Sequence, residues 1–280
     1  MPYGNIATDS ALDKYRLHKP VTINTLRALK ERGEKFVTVA LYDAPMAAMA
    51  KQTGVEVLLV GDSLGMTVLG YDSTIPVTME QMIYHIEAVK RGNNLSWIMG
   101  DLPFMTYATV EQALTNAARV MRAGANMVKI EGGEWLAETV KRLTERGIPV
   151  CAHLGLTPQS VNIFGGFRVQ GKNQEQADKI LSDAKLLEEA GADLLVLECV
   201  PSSLAKRITD ALTIPTIGIG AGRDTSAQVL VINDILGLTP QPPKFSKNFL
   251  VEAGDIPNAL LKYVKDVKEG TFPSDEHVFL

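Results

Sequence analysis

The sequence predicts a (β/α)8 barrel, and three observations carry that expectation. A phrase of glycine, then an apolar run closed by a charged residue, recurs along the chain. Helix-patterned stretches alternate with these runs. The length of 280 residues accommodates a barrel, which typically takes about 250. The phrase reads Gly54-Val55-Glu56-Val57-Leu58-Leu59-Val60-Gly61-Asp62, then Gly124-Ala125-Asn126-Met127-Val128-Lys129-Ile130-Glu131, then Gly191-Ala192-Asp193-Leu194-Leu195-Val196-Leu197-Glu198. Near-continuous apolar runs with β-branched residues are what strands buried on both faces require.

The elements follow in order. Eight strands are predicted: Phe36–Leu41, Val55–Val60, Trp97–Gly100, Met127–Ile130, Val150–Ala152, Leu194–Leu197, Thr216–Ile219 and Val229–Ile232. Pro149 and Pro215 stand just before two of them, where proline removes no ladder donor from a strand interior. Leu114 to Ala123 and Ala177 to Ala190 show helical spacing of apolar residues, and the glycine after each reads as a C-cap. Asp255 to Glu269 reads as a final amphipathic helix beyond a proline-rich turn, Pro240 to Pro243. Residues 1 to 20 form an N-terminal arm without a clear period, and 21 to 280 a single catalytic domain. A doubly wound open sheet is the rival architecture; eight strands, and the lack of GxGxxG after the first, favour the closed barrel.

Composition narrows the function. Hydrophobic residues make up 46% and charged residues 21%, a globular balance with material for a core. A formal net charge of -4 argues against nucleic acid or an anionic membrane surface as partner. The two cysteines, Cys151 and Cys199, sit in apolar runs and read as buried thiols, with no CxxC or HExxH spacing for zinc. Residues 1 to 20 hold Asp9 and Asp13 and no apolar signal-peptide core. No apolar run approaches the roughly 18 residues of a membrane span, so the expectation is a cytoplasmic protein.

In a β/α barrel the C-terminal strand ends form the active face. Six ionisable residues from five strands fall there: Asp62, Asp101, Lys129, Glu131, His153 and Glu198, with Ser63 beside Asp62. Each has a plainer reading. Asp62 and Asp101 are also typical helix-cap or turn residues. Lys129 and Glu131, two apart on a strand, face one way and can neutralise each other. His153 alone suits a hydrogen-bonded core histidine. Gly218 to Gly222 can cradle an anion or simply turn tightly. Glu198 is harder to dismiss, since a carboxylate among apolar residues is costly unless paired or functional. Taken together, the carboxylates suggest a hard cation, Mg2+ before Mn2+. Such a site suits a 2-oxo acid and enolate chemistry, with Glu198 as base and Lys129 near the developing charge.

Longer phrases carry a specific resemblance. Val60-Gly61-Asp62-Ser63-Leu64-Gly65-Met66, Asp101-Leu102-Pro103-Phe104-Met105, Met121-Arg122-Ala123-Gly124-Ala125 and Lys129-Ile130-Glu131-Gly132-Gly133 resemble the ketopantoate hydroxymethyltransferase family. So do His153-Leu154-Gly155-Leu156-Thr157-Pro158-Gln159, Phe164-Gly165-Gly166, Leu197-Glu198-Cys199-Val200-Pro201, Gly218-Ile219-Gly220-Ala221-Gly222 and Pro243-Lys244-Phe245. The likeness runs from about Thr22 to the C-terminus, and Asn233 to Pro242 carries none of these phrases. It implies a phosphoenolpyruvate/pyruvate-type barrel in pantothenate synthesis. Such an enzyme moves a hydroxymethyl group from 5,10-methylenetetrahydrofolate onto 3-methyl-2-oxobutanoate, giving 2-dehydropantoate, with one Mg2+ per subunit. Residue by residue, Asp62, Asp101 and Glu131 would hold the metal, Glu131 directly or through a water. Asp62, Ser63, Asp101 and Lys129 would bind the oxo acid, Glu198 would accept the proton, and His153 would line the pocket. A cytoplasmic homodecamer is implied too. The alternatives are a Mg2+-dependent carbon–carbon lyase acting on a 2-oxo acid, which typically carries a loop cysteine, and a non-catalytic barrel.

Overall fold

The computed structural model describes residues 14–280. Residues 1–13 of the expected arm, with Asp9 and Asp13, lie outside the described residues. Eight parallel strands close in sequence order, with β1 also pairing with β8. They are β1 Phe36–Ala40, β2 Val57–Val60, β3 Trp97–Asp101, β4 Met127–Glu131, β5 Val150–Gly155, β6 Leu194–Glu198, β7 Thr216–Ile219 and β8 Ala227–Val231. The predicted barrel is the observed one.

The boundary differences have local causes. The second strand starts at Val57, not Val55, because Gly54 is the left-handed C-cap (φ 88°) of helix Ala44–Thr53. The Val55 amide still donates back to Ala50 O, so it ends the helix rather than joining the ladder. The fifth strand runs on to Gly155, which puts His153 within the strand rather than after it. The eighth starts at Ala227, and Ile232 begins a short helix, Ile232–Ile235, instead of ending the strand. The two predicted helices Leu114 to Ala123 and Ala177 to Ala190 are observed as Val110–Arg122 and Gln174–Glu189. The final helix spans Ile256–Lys268, with Asp255 and Glu269 as its caps.

Side chains separate into two apolar layers. One lies between strands and outer helices and includes Leu58, Val60, Ile98, Val128, Ile130, Leu195 and Leu197. The other fills the barrel and includes Val57, Leu59, Met99, Met127, Cys151 and Val196. Strand period two carries the inward set upward: Met99 to Asp101, Met127 to Lys129 and Glu131, Cys151 to His153, Val196 to Glu198. The residues that become polar at the mouth therefore belong to the same rows that are apolar below.

Helices before β1 and after β8 brace the barrel. Helix Ile23–Glu31 adds Leu26 and Leu29 to the inner layer. Its Lys30 Nζ donates to Thr209 O, Leu212 O and Ile214 O at 3.1, 2.8 and 2.7 Å. From the last helix, Tyr263 Oη lies within hydrogen-bond distance of Thr38 O (3.2 Å) and Gln228 O (3.1 Å), across the β8–β1 seam. Among the described residues no helix is long and apolar enough to cross a membrane.

Candidate active site

Parallel register places the charged residues side by side at the barrel mouth. Asp101 is level with Lys129, Glu131 with His153, and Gly155 with Glu198. Lys129 Nζ donates to Asp101 Oδ2 at 2.9 Å and to Glu131 Oε1 at 3.2 Å. The Asp62 amide donates to the same Asp101 Oδ2 at 3.1 Å. His153 Nδ1 lies 3.2 Å from Glu131 Oε1. Its Nε2 lies 3.3 Å from Glu198 Oε2, yet makes no hydrogen bond of normal geometry. All six ionisable residues expected at this mouth thus line one cavity of about 710 Å3, and Ser63 lines it too.

The plainer readings fare differently. Asp62 caps nothing: the N-cap of helix Leu64–Thr67 is Ser63, which makes no side-chain cap, while Asp62 Oδ2 accepts from Gln159 Nε2 at 2.8 Å. Asp101 is no turn residue but the last residue of β3. Lys129 and Glu131 do pair, but one lysine faces three buried carboxylates, so neutralisation is incomplete. In the glycine-rich loop, Gly220 has φ +59° and a Cβ there would meet Phe245 and Phe279 at 2.9 and 3.0 Å. That glycine lets two aromatic rings from the C-terminal segment close over the end of β7.

Burial and crowding set the protonation states. Burial pushes the Asp62 carboxyl well above the usual carboxylate range, and the charges of Asp101 and Glu131 add to it. Burial also raises Asp101, against the pull of Lys129. Glu131 goes the other way: burial opposes its charge, but Lys129 and His153 hold it down to about 2. Burial disfavours a charged His153 as well, yet Glu131 and Glu198 outweigh it and raise the imidazole to about 9. At neutral pH His153 is therefore a cation bridging two carboxylates, with no free lone pair for a general base. Burial pushes both cysteine thiols up; Cys151 belongs to the inner barrel layer, so neither thiol is a ready acid or nucleophile of the lyase kind.

Several contributors carried no signal that sequence reasoning used. Gln159 donates through Nε2 to Asp62 Oδ2 and Leu102 O, and through its amide to Glu131 Oε2 at 3.1 Å. Its Oε1 accepts from Tyr107 Oη at 2.5 Å. Tyr42 Oη lies 2.8 Å from Ser63 Oγ. Gln159 stands in the Thr157-Pro158-Gln159 phrase, and a polar residue just past a strand end was its available signal.

The carboxylates fit a divalent cation. One oxygen from each of Asp62, Asp101 and Glu131 lies within 4.8 Å of the others. Asp101 Oδ1 is buried with no hydrogen-bond partner, which costs about 1–3 kcal/mol unless a ligand meets it. Both Glu131 oxygens already accept hydrogen bonds, which suits contact through a water more than direct ligation. All-oxygen donor sets select hard cations.

Fold and site define a class: a parallel-barrel enzyme with a carboxylate cluster fit to hold a cation at its mouth. Solved structures of low identity share the barrel. A phosphonopyruvate hydrolase complex with oxalate and Mg++ superposes with a TM-score of 0.59 at 14% identity, covering 92% of this chain and 93% of that one. A 2,3-dimethylmalate lyase of the PEP mutase/isocitrate lyase superfamily gives 0.55 at 17% identity, covering 74% and 80%. The chain belongs to the ketopantoate hydroxymethyltransferase family, whose model matches residues 20–275. A 3-methyl-2-oxobutanoate hydroxymethyltransferase of Saccharophagus degradans is 73% identical over 94% of this chain and 97% of its own length. One from Erwinia tasmaniensis is 59% identical over 93% and 99%.

Proposed function

We propose that the chain transfers a hydroxymethyl group from 5,10-methylenetetrahydrofolate to 3-methyl-2-oxobutanoate, giving 2-dehydropantoate, a step of pantothenate synthesis. Water supplies the hydroxyl and tetrahydrofolate leaves. The observation that carries this reading is the convergence of Asp62, Asp101, Glu131, Lys129 and Glu198 on one cavity in a chain of this family. In this reading Asp62 and Asp101 hold one Mg2+ per subunit, with Glu131 ligating it directly or through a water. The ion supplies Lewis-acid polarisation of the oxo acid's carbonyl.

The chain's own groups do the rest. Asp62, Ser63, Asp101 and Lys129 orient the oxo acid. Glu198, less enclosed than the cluster at 16% side-chain exposure, takes the proton from C3. Lys129 lies beside the carbonyl oxygen and offsets the charge that develops there. His153 holds Glu198 toward Glu131 as a cationic bridge. Water releases the one-carbon unit at the formaldehyde level as its two bonds to folate nitrogens break, and the C3 carbanion forms the new carbon–carbon bond to it while the oxygen of that unit takes up the proton held by Glu198. Incubating the pure protein with 3-methyl-2-oxobutanoate, Mg2+ and methylenetetrahydrofolate should yield 2-dehydropantoate. No product with all three present would remove the reading. The family resemblance also supports a homodecamer.

A further inference from the structure

One acidic side chain on the cavity wall has no part in the chemistry above. Asp62, Asp101, Glu131 and Glu198 account for four carboxylates of that wall, and Asp234 is the remaining one. It sits just past β8 in the short helix Ile232–Ile235. Asp234 is only 7% exposed, and its Oδ1 accepts one hydrogen bond, from Thr239 Oγ1 at 2.5 Å. Among the described residues no lysine, arginine or histidine pairs with it, and burial pushes its carboxyl up with only Thr239 opposing. The other Asp234 oxygen has no protein partner among the described residues and is not sealed from the cavity, so a ligand can bring donors to it.

The cavity also has room and a suitable wall. Its volume of about 710 Å3 lies in the range that drug-sized ligands fill, far more than a small oxo acid needs. Met66, Phe167, Phe245 and Phe279 supply apolar surface, which planar heteroaromatic rings favour for stacking. The 2-amino-4-oxo pyrimidine edge of a reduced pterin presents two parallel N–H donors, from N3 and the 2-amino group. A carboxylate accepts both at once in a fork-like pair.

We propose that Asp234 is the pterin anchor of the folate co-substrate, its carboxylate accepting from N3–H and the 2-amino group while the aromatic wall holds the ring. The inference rests on the hydroxymethyl-transfer reading. It predicts that Asp234→Asn, which keeps the shape but sets a donor against a donor, spoils folate recognition alone.

The test separates the two substrates. Exchange of the C3 proton of 3-methyl-2-oxobutanoate with deuterated water, with Mg2+ and no folate, should run at the wild-type rate in the variant. In full turnover its KM for methylenetetrahydrofolate should rise about 10- to 100-fold, the loss expected for charge-assisted hydrogen bonds, with KM for the oxo acid unchanged. A second measurement needs no variant: wild type should bind tetrahydrofolate more tightly than its 2-desamino-2-methyl analogue by a similar factor, and Asp234→Asn should not discriminate. An unchanged folate KM, a loss of exchange in the variant, or equal wild-type binding of folate and analogue would overturn the assignment. Failure of the wild type itself to exchange or turn over would instead overturn the reading of the function.

Discussion

At the residue scale the mouth is a problem in charge. Three buried carboxylates share one lysine and one cationic histidine, and burial pushes the pKa values of Asp62 and Asp101 up. A cation entering there displaces protons, because carboxylates ligate in their ionised form. The sign follows: both groups have raised pKa values, so Mg2+ affinity climbs as pH rises and they ionise. Calorimetric titration at increasing pH should show tightening affinity and released protons; affinity flat with pH would contradict it. Asp101→Ala removes the oxygen left without a partner, and should abolish Mg2+ binding and Mg2+-dependent activity with the barrel intact by circular dichroism. Full activity with normal Mg2+ dependence would take Asp101 out of the site. The thiols provide an independent check. Cys151 and Cys199 are buried with raised pKa values, so neither should react quickly with a thiol reagent in the native state, and reductant should not change activity. Rapid stoichiometric labelling with loss of activity would revive the lyase alternative.

At the element scale, strands supply the carboxylates and loops lock them. The segment after β5 folds back so that Gln159 reaches Asp62 from β2's end, Leu102 past β3 and Glu131 on β4. Partners that orient metal ligands are typically worth about 10–100-fold in affinity. Gln159→Ala should therefore weaken Mg2+ binding by about that factor, and unaltered affinity would reduce Gln159 to a structural role. This division also explains what the sequence made legible. Strand rows were readable because period two is local: Lys129 and Glu131 had to share a face, and Thr216–Ile219 is bracketed by Pro215 and Gly220. Val55 was misplaced because an apolar residue after a helix-ending glycine looks the same whether it closes the helix or opens the strand. Gln159 gained no role because its partners lie up to 97 positions away, and no local pattern encodes a loop folding back. Asp234 stands in a stretch without a recognisable phrase, so only the closed barrel shows that it lines the cavity.

At the scale of the whole molecule, closure does what no element does alone. Five neighbouring strands each contribute one or two polar residues to a mouth whose floor is apolar. The helix Ile23–Glu31 and the final helix brace the barrel from before β1 and after β8. Most soluble oligomers are homo-oligomers of closed symmetry. The proposed homodecamer predicts a light-scattering mass about ten times that of the 30.4 kDa chain; a monomer or dimer at working concentration would remove it.

In the proposed mechanism this mouth removes a proton from C3 of an oxo acid through Glu198, and deuterium exchange reads that step directly. Wild type with Mg2+ should exchange the C3 proton of 3-methyl-2-oxobutanoate into deuterated water. Glu198→Gln, nearly the same shape but unable to accept the proton, should still bind the oxo acid yet exchange about 10²–10⁴-fold more slowly. Exchange in that variant as fast as in wild type would contradict the account.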